Sequence, residues 1–321
     1  MVKYKMNHLP FYKLPSTIVF IDDVEATVEE VSKLFEDDPV ATKVFTDQHV
    51  ALAYINGAAG ADGLTARFQD ALTNYDELFF CHEQVYVPER FDQISCVIVD
   101  YDMPGMNGLD ICEKITDKRI KKILLTGVAD EQVAISAFNR GLIDYFIRKH
   151  DQNSPRLVVE YVRDAVNRFF YELTQPIVDT AIKQSPWTES PLKDPKYHEF
   201  FAKFVAEHDI VEYYLLDISG AFLLIDSDGI IKILQTFTEE TLAQHLDDLK
   251  GTIYWSELNA PDRQAILARE QILCVSPLVG ANDPKYSKVP LQMLSDQPKL
   301  FVAVFNDSSL DLTKIKLFDY S

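Results

Sequence analysis

Four places in this 321-residue chain end a short apolar run with a side chain that can do chemistry. They are the acid pair Asp22-Asp23, then Asp100, Thr126 and Lys149. Any one of them alone is ordinary, since acids at such positions are often solvated or cap a helix, and a lone lysine is usually surface. Together they describe a demand. Three carboxylates brought close raise one another's pKa values unless a cation compensates them. A hard divalent ion with oxygen ligands, Mg²⁺ in most such sites, meets that demand and also neutralises phosphoryl oxygens. A lysine adds a point charge and a threonine adds a hydroxyl donor.

The runs that must position these groups read as strands. Residues 17–22 (TIVFID), 40–46, 96–100 (CVIVD), 122–126 (KILLT) and 143–147 (IDYFI) are five apolar stretches bounded by polar residues. Val24, Val28, Val31, Leu34 and Phe35 recur at helical spacing after the first, and 48–55, 109–118 and 131–140 follow the next ones, the last stopped by Gly141. Alternating strands and helices predict an α/β domain, a doubly wound five-stranded parallel sheet with helices on both faces. In such a sheet ligands bind at the carboxyl ends of the strands, where all four features fall.

The text around them resembles the receiver domain of two-component response regulators, over about residues 15–155. The carrying residues are Asp22 and Asp23 after FI, the DxxMPxMNG stretch of residues 100–108, Thr126 in LLTG, and Lys149 in DYFIRK. The resemblance implies a flavodoxin-like fold and an Mg²⁺ cofactor held by Asp23 and Asp100, by Asp22 through water, and by the backbone carbonyl of Asp102. It implies that Asp100 accepts a phosphoryl group, that Lys149 and Thr126 contact it, and that Phe146 is the aromatic that changes rotamer with the threonine. The implied partner is a sensor histidine kinase or phosphotransfer protein. The chain departs from the family at His150, where proline is usual, so no cis bond is expected there. It departs also at Gly127, where alanine is common, and in an insertion over 56–92. That insertion has apolar residues at helical spacing from Leu64 to Phe79 and a strand-like 84–87, so it reads as ordered. A haloacid-dehalogenase-like phosphatase, with Asp100 as nucleophile and Asp102 as acid/base, is the rival reading. It wants an acid pair after the lysine; here the pair precedes the nucleophile, and Asp226 and Asp228 do follow, but in a hairpin-like turn beyond the linker, where acids are ordinary. A receiver-based scaffold that binds partners without phosphorylation is the other alternative.

Residues 156–173 carry an apolar arc of about 220°, wider than a one-sided surface helix needs, so that helix is expected to meet two surfaces. The Pro- and Ser-rich 184–196 reads as a linker. The expected organisation is therefore a receiver over 1–155, a connecting helix and linker over 156–196, and an output domain over 197–321. The last is α+β with an antiparallel sheet: strands near 212–217, 221–226, 230–235, 272–275 and 300–305, with helices near 239–250 and 261–270. Its run 221–229 (AFLLIDSDG) gives it a weak resemblance to a PAS-type module. His198, His208 and His245 have no metal-ligand spacing, and Trp187 and Trp255 read as packing residues.

Composition bounds the function. Against 31 Lys and Arg stand 50 Asp and Glu, a net charge of −19. Residues 1–150 hold 15 basic and 24 acidic residues, and 151–321 hold 16 and 26. Neither half suits a phosphate backbone, so a non-DNA-binding output is expected, with no nucleic acid among the partners. No run is long and apolar enough to span a membrane, the first residues lack a secretory signal, and the four cysteines (81, 96, 112, 274) form no CxxC pair. A cytoplasmic protein with buried thiols is the reading. The spare apolar surface of 156–173 also predicts a partner for it, either the C-terminal domain or a second copy of the chain in a homodimer formed there or through the receiver.

Overall fold

The computed structural model describes residues 9–58, 62–74, 83–127, 131–149, 151–184, 191–276, 286–307, 310 and 313–319. Two compact units share the chain: Leu14–Arg67, Pro88–Pro176 and Phe318–Ser321 form one, and Met1–Lys13, Phe68–Val87 and Ile177–Leu317 the other.

The chain opens with β1 (Tyr12–Lys13), which belongs to the second unit. The first unit then builds β2 (Ser16–Ile21), α1 (Glu25–Ser32), β3 (Val40–Phe45) and α2 (Gln48–Gly57). Helix α3 (Asp62–Asn74) crosses the boundary between units. After it come β4 (Ile94–Asp100), α4 (Gly108–Lys114), β5 (Lys121–Thr126), α5 (Glu131–Asn139), β6 (Tyr145–Arg148) and the 31-residue α6 (Ser154–Gln184). Strands β2 to β6 make a parallel sheet in the order β3-β2-β4-β5-β6. Strands β2, β4 and β5 are buried along their whole length, as expected of parallel strands covered on both faces. The order reverses direction at β2, and a ligand crevice lies outside the strand ends at such a switch point.

The second unit continues with α7 (Pro195–Glu207), β7 (Ile210–Asp217), β8 (Ala221–Asp226), β9 (Ile231–Thr238), α8 (Glu239–Lys250), α9 (Ile253–Glu257) and α10 (Ala260–Leu267). Four strands finish it: β10 (Gln271–Val275), β11 (Tyr286–Pro290), β12 (Gln292–Asp296) and β13 (Lys299–Asn306). Its main sheet is antiparallel, in the order β1-β7-β8-β9-β13-β12, and β10 and β11 pair separately.

Several expectations are corrected. The fifth parallel strand is Tyr145–Arg148, not 143–147, because Gly141 (φ +68°) and the Leu142 N–H to Ala137 carbonyl bond keep the chain turning after α5. Helix α4 stops at Lys114, short of 118, where Ile115 turns extended (ψ 119°). Residues 84–87 make a helical turn closed by the Val87 N–H on the Gln84 carbonyl, not a strand. The helix expected over 156–173 runs on through Pro176 to Gln184. Part of the expected linker is the start of α7, capped by Asp194 with Pro195 at its first position. The compact units also depart from boundaries at 155 and 196. Strand β1 pairs with β7, matching Tyr12 to Tyr214, and Phe68 lies fully buried against Phe11 and Tyr12. Residues 9–13 and the described part of the insertion after Arg67 therefore fold with the C-terminal unit. His150, Trp187, Cys81 and the 75–82 part of the insertion lie outside the described residues.

Candidate functional site

Each candidate side chain sits where a strand gives out. Parallel pairing aligns Ile21 with Val99, Asp100 with Leu125, and Thr126 with Arg148. Asp22 is the next residue after β2, and Lys149 the next after β6. The sheet thus delivers all of them to one edge.

There Asp22, Asp23 and Asp100 place carboxylate oxygens within 4.8 Å of one another. Asp22 is 2% and Asp100 4% exposed, whereas Asp23 faces solvent. The Lys149 ammonium donates to Asp22 at 2.7 Å and reaches Asp100 at 2.9 Å. The other Asp22 oxygen accepts the Val24 N–H at 2.9 Å, which fixes the carboxylate as the chain enters α1. One ammonium against three carboxylates leaves an excess of negative charge. Burial raises the Asp100 carboxyl above its ordinary pKa, and the hydrogen bond from Lys149 only partly offsets this. Burial also works against the Lys149 ammonium, but its bonds to Asp22 and Asp100 win and hold it charged above the usual lysine range. An all-oxygen acidic set short of positive charge fits a hard divalent cation.

The loop after β4 is shaped around Asp100. The Gly108 N–H donates to the Tyr101 carbonyl at 3.0 Å, closing the turn. Asn107 caps α4 by accepting the Leu109 and Asp110 N–H groups, and Asp110 answers at the Asn107 N–H. A Cβ on Gly108 would stand 2.3 Å from the Asp100 carbonyl oxygen, so only glycine lets the helix start this close to the strand. Gly108→Ala is expected to cost about 1–3 kcal/mol of stability in urea unfolding, because backbone must move to admit the methyl. Gln48 at the start of α2 donates to the Pro104 carbonyl at 3.2 Å and braces the same loop, a role no sequence signal marks.

Thr126 is fully buried, and its hydroxyl donates to the Gly127 carbonyl at 3.1 Å. Phe146 packs edge-on against Phe138 of α5, with ring centroids 6.3 Å apart. The Asp102 side chain is exposed, while its backbone N–H bonds the Asp100 carboxylate. Asp226, which the rival reading needs, accepts the Asp228 and Ile230 N–H groups and pairs with Lys232 in the β8–β9 turn. Its carboxylate is spent on holding a turn. The three histidines are bonded locally: His198 to the Leu192 carbonyl, His208 to Phe204 and His245 to Leu273. Cys96, Cys112 and Cys274 are buried free thiols, and burial pushes Cys112 and Cys274 up to about 12, which makes them poor nucleophiles. Among the described residues no helix is long and apolar enough to cross a membrane.

Comparison with known proteins points to one family. The family described as the response regulator receiver domain matches residues 82–159, the stretch after most of the insertion that holds Asp100, Thr126 and Lys149. The solved structure of the response regulator LqsR of Legionella pneumophila is 32% identical in sequence and superposes with a TM-score of 0.72. That match covers 98% of this chain and 95% of the other. The response regulator protein TmoT of Ectopseudomonas mendocina is 23% identical over 176 residues, half of this chain and 70% of that protein.

Proposed function

The chain belongs to the response-regulator family, and from that premise we propose that Asp100 accepts a phosphoryl group from a sensor histidine kinase or a phosphotransfer protein. The observation that carries this is the convergence of Lys149 on Asp22 and Asp100 beside Asp23 at one sheet edge. An Asp100 carboxylate oxygen attacks phosphorus, the phosphorus–nitrogen bond of the donor's phosphohistidine breaks, and the imidazole leaves with the electron pair. Lys149 then turns from Asp100 to a phosphoryl oxygen, and the Thr126 hydroxyl leaves the Gly127 carbonyl to donate to another. Asp22, Asp23, Asp100 and the Asp102 carbonyl would hold Mg²⁺, whose charge neutralises the incoming phosphoryl oxygens. Water attack on the acyl phosphate returns the carboxylate and inorganic phosphate, so the mark is self-erasing.

The state of Asp100 is read out through α6 by the C-terminal unit, as a population shift between two receiver conformations with Phe146 as the switch. That unit acts on a protein or a small molecule and not on DNA, a reading supported by the acidic balance of both halves of the chain. A homodimer formed through the receiver or residues 156–173 is part of the same reading, in a cytoplasmic setting.

Incubation with acetyl phosphate and Mg²⁺ tests the proposal: a phosphoryl mass shift is expected and chelation should prevent it. No shift at all would favour the scaffold that works without phosphorylation. Lys149→Met should slow uptake by about 10²–10³-fold, the usual loss when a group that stabilises developing charge is removed. Stopped-flow or timed mass measurements give that rate, and a change under twofold would remove Lys149 from the chemistry.

A further inference from the structure

Strand β6 is four residues long and lies at the sheet edge, paired among the described residues with β5 alone. At its exit Lys149 binds Asp22 and Asp100. At its entrance Asp144 and Tyr145 meet a polar stripe on α6. The Tyr145 hydroxyl donates to Asp164 and accepts from Arg168 at 3.1 Å. The Arg168 guanidinium also pairs with Asp144 at 3.2 Å and Glu172 at 3.5 Å, and Glu172 pairs with Lys121 of β5. Below them the Tyr145 ring stacks on Tyr161, centroids 4.8 Å apart. Asp164, Arg168 and Glu172 are spaced by four, so they form one ridge of the helix. Asp144 and Arg168 are about one-fifth exposed, which makes their pairing stronger than that of a solvated surface pair.

We propose that the clasp of Asp144 and Tyr145 on Arg168 is the link by which the state of the acid pocket reaches α6, with Arg168 as its positioning residue. This rests on the phosphorylation reading above. When Lys149 moves from Asp100 to a phosphoryl oxygen, and Phe146 turns beside Tyr145, a short edge strand hydrogen-bonded to a single neighbouring strand shifts as a unit. Arg168 bonds a phenol and two carboxylates through one planar group, so it follows the shift only by exchanging partners. The clasp is therefore two-state, and α6 inherits the two states through the stripe. Without it, phosphorylation still occurs but the helix no longer responds.

Hydrogen exchange over residues 154–176 of the full chain, with and without acetyl phosphate and Mg²⁺, tests this, with phosphoryl occupancy read by mass in the same samples. In the wild type, loading should change exchange in that segment by a factor of about 5–150, the usual range of coupling between sites. Arg168→Met and Tyr145→Phe should load as the wild type does and show no such change. Tyr145→Phe keeps the ring on Tyr161 and guards against a variant that merely fails to fold. Loaded wild type with unchanged exchange, or variants that respond as fully as wild type, would overturn the clasp while leaving the phosphorylation reading intact. A wild type that takes up no phosphoryl group overturns both, and the mass shows which has happened.

Discussion

Asp100→Asn should take up no phosphoryl group from acetyl phosphate and, with divalent ions chelated, should melt at a higher temperature than the wild type. The first half follows from chemistry: an amide oxygen is no nucleophile toward phosphorus at neutral pH, and the neighbouring Asp22 is engaged by Val24 and Lys149. The second half follows from burial. The Asp100 carboxyl has its pKa raised in the folded chain, chiefly by burial, from an ordinary value of 3.8. A raised carboxyl binds its proton more tightly folded than unfolded, so its favourable contribution exists below pH 3.8 and disappears as pH rises through the folded value. At neutral pH the ionised group opposes folding, and the neutral amide removes that opposition while Lys149 keeps Asp22 as its partner. Melting curves at pH 7 and near pH 3.5 should therefore show the variant ahead in the first and level in the second. A variant less stable than wild type at pH 7 would show that the Lys149 contact outweighs the burial of Asp100.

Phe68→Ala should cost about 3–5 kcal/mol in urea unfolding of the C-terminal unit, a large part of the ~5–15 kcal/mol that holds a domain together. The ring is fully buried, stacks on Tyr12 at 5.7 Å with planes 6° apart, and meets Phe11 at 5.7 Å. Tyr12 in turn lies over Tyr214 of β7, and the Phe11 carbonyl accepts the Leu215 N–H at 2.6 Å. Further along the insertion, Val85 is fully buried and its carbonyl accepts the Lys316 N–H. A fragment beginning at residue 197 lacks Phe11, Tyr12, Phe68 and Val85 and should not fold, whereas one that adds residues 9–13 and 68–87 restores the missing edge strand and ring. A loss under about 1 kcal/mol for Phe68→Ala would mean that the insertion only rests on the unit.

The acid pocket was legible because strand ends are punctuated in sequence. TIVFID, CVIVD and KILLT each stop on the residue that matters, and parallel strands buried on both faces leave continuous apolar runs that are hard to mistake. The partition of the chain was not legible. Strand β1 is two residues long and has no period to detect, and Phe68 shows helical spacing without saying which core it faces. Helix α6 runs on through Pro176, a residue that a helix interior tolerates poorly, so its full length shows no sequence signature. Helix α7 did leave a signal, an Asp-Pro cap at 194–195, which the surrounding prolines and serines masked. The clasp on Arg168 left none, because Tyr145, Asp144 and Asp164 acquire their meaning only once β6 and α6 are side by side.

The phosphorylation of Asp100 itself is tested most directly by finding where the group goes. Borohydride reduces an acyl phosphate to the alcohol, so an aspartyl phosphate becomes homoserine that peptide mapping can locate. After treatment with acetyl phosphate and Mg²⁺, homoserine is expected at position 100 alone. Homoserine at another aspartate, or none in a chain that has gained phosphoryl mass, would contradict the assignment of Asp100.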